Sequence, residues 1–416
     1  METLNSVQGS FGLARVPRAG KRPLRAWDAA DEYVLDFLAS ADGDTWTSES
    51  SKVIVVGDAF GALATGLASS APLVVNESSA GRQAVMENLE RNVPGAASGV
   101  IVQSILDLPS EPMADPFDVV VVKIPKSTSG LVEILHRLRP HVGESTLFLG
   151  AAMAKNVHTS AIDAFEKIIG PTTTSLAKKK ARLIHVTPDS GRQPRPNPWP
   201  KTWKAHGHTL TNHGGGFSPN KLDAGTSLLL DSMRSIEPFL PDATTSLGDP
   251  FHVVDLGAGN GIIGLAMSTL LDREGVAHHV SAVDDSALAI RAAQASWAAS
   301  SQSDDASSQS DAASSQSDDA PSRSVSFHHG HRLVNILDSA SADLVVVNPP
   351  FHEDRVLGDE TAWSMFVDAH KVLRPGGHLV VVGNRHLAHH AKLKKIFGGV
   401  NNLGSNAKFV VLDGVR

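Results

Sequence analysis

One strand–turn–helix plan occurs in each half of the chain, and that recurrence limits the folds open to it. Val53–Leu63 (VIVVGDAFGAL) and Phe251–Gly264 (FHVVDLGAGNGIIG) each run from a β-branched strand through a glycine turn into a helix. Leu73–Glu77 (LVVNE) and Val280–Asp284 (VSAVD) follow as second strands that end in a carboxylate. Phe117–Lys126 (FDVVVVKIPK) and Leu344–Phe351 (LVVVNPPF) are later Val-rich strands stopped by proline. The pairing continues with Leu138-Arg139-Pro140 against Leu373-Arg374-Pro375, and Phe165–Gly170 (FEKIIG) against Leu393–Gly398 (LKKIFG). Strands alternating with helices predict an α/β fold of doubly wound parallel sheets, duplicated within the chain and altered in one copy.

Five prolines between Pro188 and Pro200 mark the junction, which places the domains at residues 1–195 and 196–416. The first thirty residues mix Arg15, Arg18, Lys21, Arg22 and Arg25 with Gly and Pro, and read as an irregular basic arm before a helix at Ala29–Leu38. Such an arm is either a solvated terminus or an RNA contact. Ser300–Ala320 holds three copies of a seven-residue unit, SSQSDDA, SSQSDAA and SSQSDDA. With no apolar residue larger than Ala it cannot bury a core or a coiled-coil seam, and disorder is expected over about 298–323. The chain has net charge −7, but this insertion contributes five uncompensated Asp, so the remainder carries only −2 and local basic patches matter more.

Zero cysteines exclude disulfides, thiolate metal sites and a Cys nucleophile. There is no apolar run of membrane-spanning length and no signal pattern at Met1-Glu2-Thr3-Leu4, so a cytoplasmic protein is expected.

The glycine turn at Asp255–Gly264 lets a ligand approach the backbone closely. Its Gly259–Gly264 core matches the dinucleotide fingerprint, which alone is a weak signal. Asp255, two residues before Gly257, favours S-adenosylmethionine over NAD, because that cofactor brings an ammonium in place of a pyrophosphate. Gly257, Gly259, Asn260 and Gly261 are the expected backbone cradle. Asp284 at the end of the next strand suits the ribose hydroxyls; a charge at the helix N-terminus is the alternative, but Asp285 and Ser286 could equally provide that, which favours Asp284 for the ribose. His331 follows the third strand, beside the expected adenine. The run His328-His329-Gly330-His331 also invites a metal, but no Cys or nearby carboxylate completes a site, and no metal is expected.

Asn348-Pro349-Pro350-Phe351 presents a carboxamide and an aromatic ring at the carboxyl end of a buried strand, where open α/β sheets bind ligands. The Asn348 side-chain oxygen and the Pro349 carbonyl could accept both hydrogens of a planar amino group. Its nitrogen lone pair would then turn toward a methyl donor, with Phe351 stacked on the ring. A plain strand-end turn is the blander alternative.

Over most of its length the chain resembles the large-subunit (23S) ribosomal RNA guanine-N2 methyltransferases, relatives of the small-subunit (16S) enzymes. The resemblance rests on Leu24–Tyr33 (LRAWDAADEY), Asp58–Leu63, Gly170–Thr174 (GPTTT), Asn212-His213 with Phe217-Ser218, and above all Asn384–Leu387 (NRHL) with Lys392–Gly398 and Lys408–Leu412. It implies two tandem Rossmann-like class I methyltransferase domains, the first degenerate and holding RNA, the second catalytic. It also implies S-adenosylmethionine as cofactor and protein-free 23S rRNA as substrate, for an enzyme expected to be a monomer. Lys123-Ile124-Pro125-Lys126 then stands in for the catalytic loop in the first half, with two lysines suited to phosphates. His331 departs from the Asn or Asp expected there. Other planar amines remain open as acceptors: the 16S guanine, a DNA adenine or a glutamine side chain. A non-catalytic RNA-binding factor and an NAD-dependent oxidoreductase are further alternatives, and the second leaves Asn348–Phe351 without a role.

Overall fold

A computed structural model describes residues 2–17, 24–40, 48–241, 249–310, 322–350 and 355–416. The chain divides into two compact units, Met1–Trp199 with His213–Gly215, and Pro200–Asn212 with Gly216–Arg416.

The first unit opens with a hairpin, β1 (Glu2–Ser6) and β2 (Gly9–Leu13), where an irregular arm is expected from composition. Leu4, Phe11 and Leu13 are buried, so alternation over a short span outweighs the Gly- and Arg-rich composition that follows. Arg18, Lys21 and Arg22 of that arm lie outside the described residues. After α1 (Ala29–Leu38) come β3 (Val53–Val56), α2 (Ala62–Gly66), β4 (Leu73–Val75), α3 (Ser79–Asn92), α4 (Pro94–Ala97) and β5 (Ile101–Gln103). Then follow β6 (Phe117–Lys123), α5 (Thr128–Leu138), β7 (Val142–Met153), α6 (Thr159–Ile168), β8 (Thr172–Thr174) and β9 (Ala181–Val186). The sheet runs β5-β4-β3-β6-β7-β9-β8, parallel except where β9 pairs antiparallel with β7 and β8. Val53–Val56 and Val119–Val122 are buried on both faces, which is why these strands read as unbroken apolar runs.

The second unit repeats the order. A hairpin of β10 (Lys201–Ala205) and β11 (His208–Asn212) precedes α7 (Ala224–Asp231), β12 (Phe251–Leu256), α8 (Ile262–Arg273), β13 (His278–Asp284) and α9 (Ala287–Ser310). Then come β14 (Arg323–His329), β15 (Ala342–Val347), α10 (Arg355–Val372), β16 (Leu373–Asn384), α11 (His389–Phe397), β17 (Asn401–Ser405) and β18 (Phe409–Val415). Its sheet runs β14-β13-β12-β15-β16-β18-β17, again with one antiparallel strand, β18, near the edge. Chain order reverses between β12 and β15, and that is where a ligand crevice forms in such sheets. One face packs on α7, α8 and Trp297, the other on α10 and α11.

Two expectations change here. Phe327, His328 and His329 lie within β14 rather than after it. Helix α9 continues to Ser310, into the Ser/Asp repeat expected to be disordered. Adding residues to an already formed helix costs little, and the Ala and Gln of the repeat favour it although Ser and Asp compete for the backbone. Residues 311–321 of the repeat lie outside the described residues.

Candidate active site

Gly257, Gly259 and Gly261 follow β12 and all take positive φ (80°, 57° and 82°), so the turn needs glycine for its backbone shape. A Cβ on Gly259 would meet no atom within 4 Å, so this turn faces open space. Asp284 holds it from the neighbouring strand. One carboxylate oxygen accepts the Gly259 N–H at 2.9 Å, and the other accepts the Ser286 N–H at 2.8 Å. Burial pushes the Asp284 carboxyl up to about 6.

Asp255 is fully buried beneath the turn. Its Oδ2 accepts the Gly264 N–H at 2.8 Å, while Oδ1 is buried with no partner. Burial pushes this carboxyl up to about 7. Asn260 Oδ1 accepts the Ile262 N–H at 3.3 Å and its Nδ2 donates to Asn212 Oδ1 at 3.1 Å, which ties the turn to β11.

Parallel pairing of Leu256 with Val347 sets the end of β15 beside this turn. Asn348, the next residue, donates from Nδ2 to Thr226 Oγ1 at 2.9 Å, with the Asp223 carboxylate oxygens at 3.3 and 3.4 Å. Asp223 is the N-cap of α7 and accepts the Gly225 and Thr226 N–H groups. The Thr226 hydroxyl donates to Asp223 Oδ2 and thus faces Asn348 as an acceptor only. Acceptors on one side fix the amide: its NH2 points at them, and Oδ1 points away, buried and without a partner.

A small open cleft joins these pieces, lined among others by Phe217, Lys221, Asp223, Thr226, Gly257, Gly259, Asn260 and Asn348. Of the residues singled out from the sequence, Gly257, Gly259, Asn260 and Asn348 meet in it. Asp255, Gly261, Asp284 and His331 do not line it; the first three shape the turn from behind or beside it. The His331 imidazole is held below its ordinary pKa by burial. Pro349 is buried and Pro350 exposed. Phe351 lies outside the described residues. No group of three or more His, Asp or Glu among the described residues is placed to hold a metal.

Asp223 and Thr226 are not legible as site residues in the sequence. Asp223-Ala224-Gly225-Thr226 before an apolar run signals only a helix start, and nothing local announces Asn348, more than a hundred positions away.

The first unit builds its turn differently. Where the second unit has Ala258, it carries Asp58, fully buried, whose carboxylate accepts the N–H groups of Gly61, Ala62 and Ala64 at 2.8–3.0 Å. The chain's own anion thus fills the start of α2. Lys123, expected to meet phosphate, is 13% exposed and ion-paired with Asp28 at 2.8 Å and Asp31 at 2.5 Å. Two carboxylates from the α1 start already occupy it, so only Lys126 of that pair stands in solvent. Lys178 and Lys179 likewise pair with Asp36 and Glu32.

Residues 1–190 match the family model for the RLMG N-terminal domain, and residues 207–413 match the methyltransferase small domain. Ribosomal RNA large subunit methyltransferase G of Streptomyces avermitilis is 39% identical over all of this chain and 99% of its own length. The protein of the same name from Aeromonas hydrophila is 36% identical, with both chains covered in full. Among solved structures, the T. thermophilus 16S rRNA N2 G1207 methyltransferase (RsmC), in complex with AdoMet and guanosine, aligns with a TM-score of 0.69. That alignment covers 100% of this chain and 97% of the other at 19% identity, and shows a shared fold.

Proposed function

This chain belongs to the ribosomal RNA large subunit methyltransferase G family, and we propose that its second unit methylates the exocyclic N2 of a guanine in 23S rRNA. The chain is an rRNA methyltransferase of S-adenosylmethionine-dependent fold. Guanine as the base and N2 as the atom are the finer part of the proposal.

The buried, unpartnered Oδ1 of Asn348 carries this reading. An orphaned acceptor costs about 1–3 kcal/mol unless a ligand satisfies it. Asn348 lines the cavity beside the open glycine turn, and an amino donor that reached Oδ1 would relieve it. The turn also fits the cofactor: positive-φ glycines leave the backbone bare, and Asp284 braces Gly259 while keeping lone pairs for ribose hydroxyls. When bound, S-adenosylmethionine supplies an electrophilic methyl on sulfur.

Asn348 Oδ1 would accept one N2–H and the Pro349 carbonyl the other, which turns the nitrogen lone pair out of conjugation. Phe351 would stack on the base. No strong base is required, because N2 becomes acidic as its bond to the methyl forms and would release its proton to water, and positioning supplies most of the rate. A guanine paired in a duplex would first be flipped out, at a cost of about a few kcal/mol. The T. thermophilus enzyme of the same fold, in complex with AdoMet and guanosine, is in keeping with this choice of base. The first domain, residues 1–195, is assigned the holding of RNA in its protein-free form.

Labelled S-adenosylmethionine with protein-free 23S and 16S RNA, wild type beside Asn348→Ala, tests the proposal. N2-methylguanine in 23S RNA alone, lost in the variant, is the expected result. Label on 16S RNA, or on a base other than guanine, would overturn it.

A further inference from the structure

The proposal for Asn348 needs its oxygen, not its NH2, to face the base, and a free carboxamide has no such preference. We infer that Asp223 and Thr226 are positioning residues for the methyl transfer, which set the rotamer of the Asn348 amide; this inference rests on the guanine-N2 reading above.

The argument is one of hydrogen-bond direction. Thr226 Oγ1 has a single proton, and it is committed to Asp223 Oδ2. Toward Asn348 it therefore offers lone pairs alone, at 2.9 Å. The Asp223 carboxylate, at 3.3–3.4 Å, adds negative charge on the same side. Inverting the amide would set the Asn348 oxygen against three acceptors and aim its NH2 at the donors of the incoming amine. Both states are penalised together, so the pair enforces one orientation before substrate arrives. Capping of α7 explains the Asp223 bonds to Gly225 and Thr226 N–H, but it does not require Asn348 to lie within reach. Both residues line the cavity together with Asn348, whose Oδ1 is buried without a partner.

Asp223→Asn separates the two roles, since Asn caps helices as well as Asp does but brings an NH2 that draws the Asn348 oxygen inward. The expected result is a fall in single-turnover rate of about 100-fold, the scale of a misplaced reacting group. Cofactor Kd, RNA KM and melting temperature should stay near wild type. Thr226→Val, which removes one acceptor and keeps the shape, should lower the rate in the same manner but less.

The deciding variant reverses the polarity of the contact. Asn348→Asp alone sets two carboxylates together and should be nearly inactive; combined with Asp223→Asn, the new NH2 meets the new carboxylate and activity should return well above either single variant. Losses that simply add in the double variant, or a wild-type rate in Asp223→Asn while Asn348→Ala is dead, overturn the positioning role and leave guanine-N2 transfer standing. Absence of N2-methylguanine from wild-type reactions would instead remove the reading itself, and this inference with it.

Discussion

The Asp284 carboxylate reaches across from β13 to the backbone N–H of Gly259 at 2.9 Å. Strand end and glycine turn are thereby one rigid piece, although the two residues belong to different crossovers.

Replacing Asp284 by Ala frees Gly259 and removes the carboxylate beside the turn. Cofactor affinity should fall by about 10- to 100-fold, equivalent to one or two charge-assisted hydrogen bonds. Calorimetric titration of S-adenosylmethionine measures this, and an unchanged Kd would remove Asp284 from the cofactor site.

Asn348→Ala should bind the cofactor as the wild type does, because the glycine turn is untouched. Its single-turnover rate on 23S RNA should fall by about 100- to 1000-fold, as for loss of one preorganised hydrogen-bonding group. Quench-flow rates beside titration Kd values separate the two effects.

Asp255 gives the protein a pH signature. Its carboxyl is raised from 3.8 to about 7 in the folded state, so between those values the native form holds a proton that the unfolded chain has released. The stability contributed is complete below about pH 4 and is lost as pH rises through about 7, a change of at most about 4 kcal/mol. Asp31 and Asp284, both near 6, act in the same direction. Melting temperatures of wild type and Asp255→Asn should therefore diverge between about pH 4 and 7 in favour of the variant. Parallel curves would contradict the assignment.

In the first unit, Asp58→Ala strips the acceptor from three backbone N–H groups at the start of α2. Urea unfolding should show a loss of about 2 kcal/mol or more, with cofactor Kd unchanged. Any change in Kd would mean that the first unit takes part in cofactor binding.

Lys123→Met leaves Asp28 and Asp31 facing each other around an apolar side chain. Breaking a buried pair from one side costs about 3–5 kcal/mol. Adding Asp31→Leu should recover most of it, a result that unfolding midpoints would register.

The strand plan and the glycine turn are legible in the sequence because they are local. β-branched runs such as Leu344–Val347 (LVVV) and positive-φ glycines such as Gly257 and Gly261 declare backbone state within a few residues. What the sequence hides is partnership at a distance. Lys123 reads as a phosphate ligand, yet Asp28 and Asp31, more than ninety positions earlier, hold it. Asp223 reads as an ordinary cap and faces Asn348. Asp255 is expected to meet the cofactor's ammonium, yet it is turned under the loop toward Gly264. The β1–β2 hairpin escapes a sequence reading because its five-residue strands carry too few alternating apolar positions to outweigh Gly and Ser.

Helix α9 leaves from the carboxyl end of β13 and returns the chain to the amino end of β14. That connection enters β14 at the rim of the sheet opposite the carboxyl ends that carry Asn348 and the glycine turn. Its length is consequently free to drift, since each doubling of a loop adds only about 0.6 kcal/mol of closure entropy. That rim is a natural port for a reporter domain or affinity tag, one set at the strand ends away from Asn348 and the glycine turn.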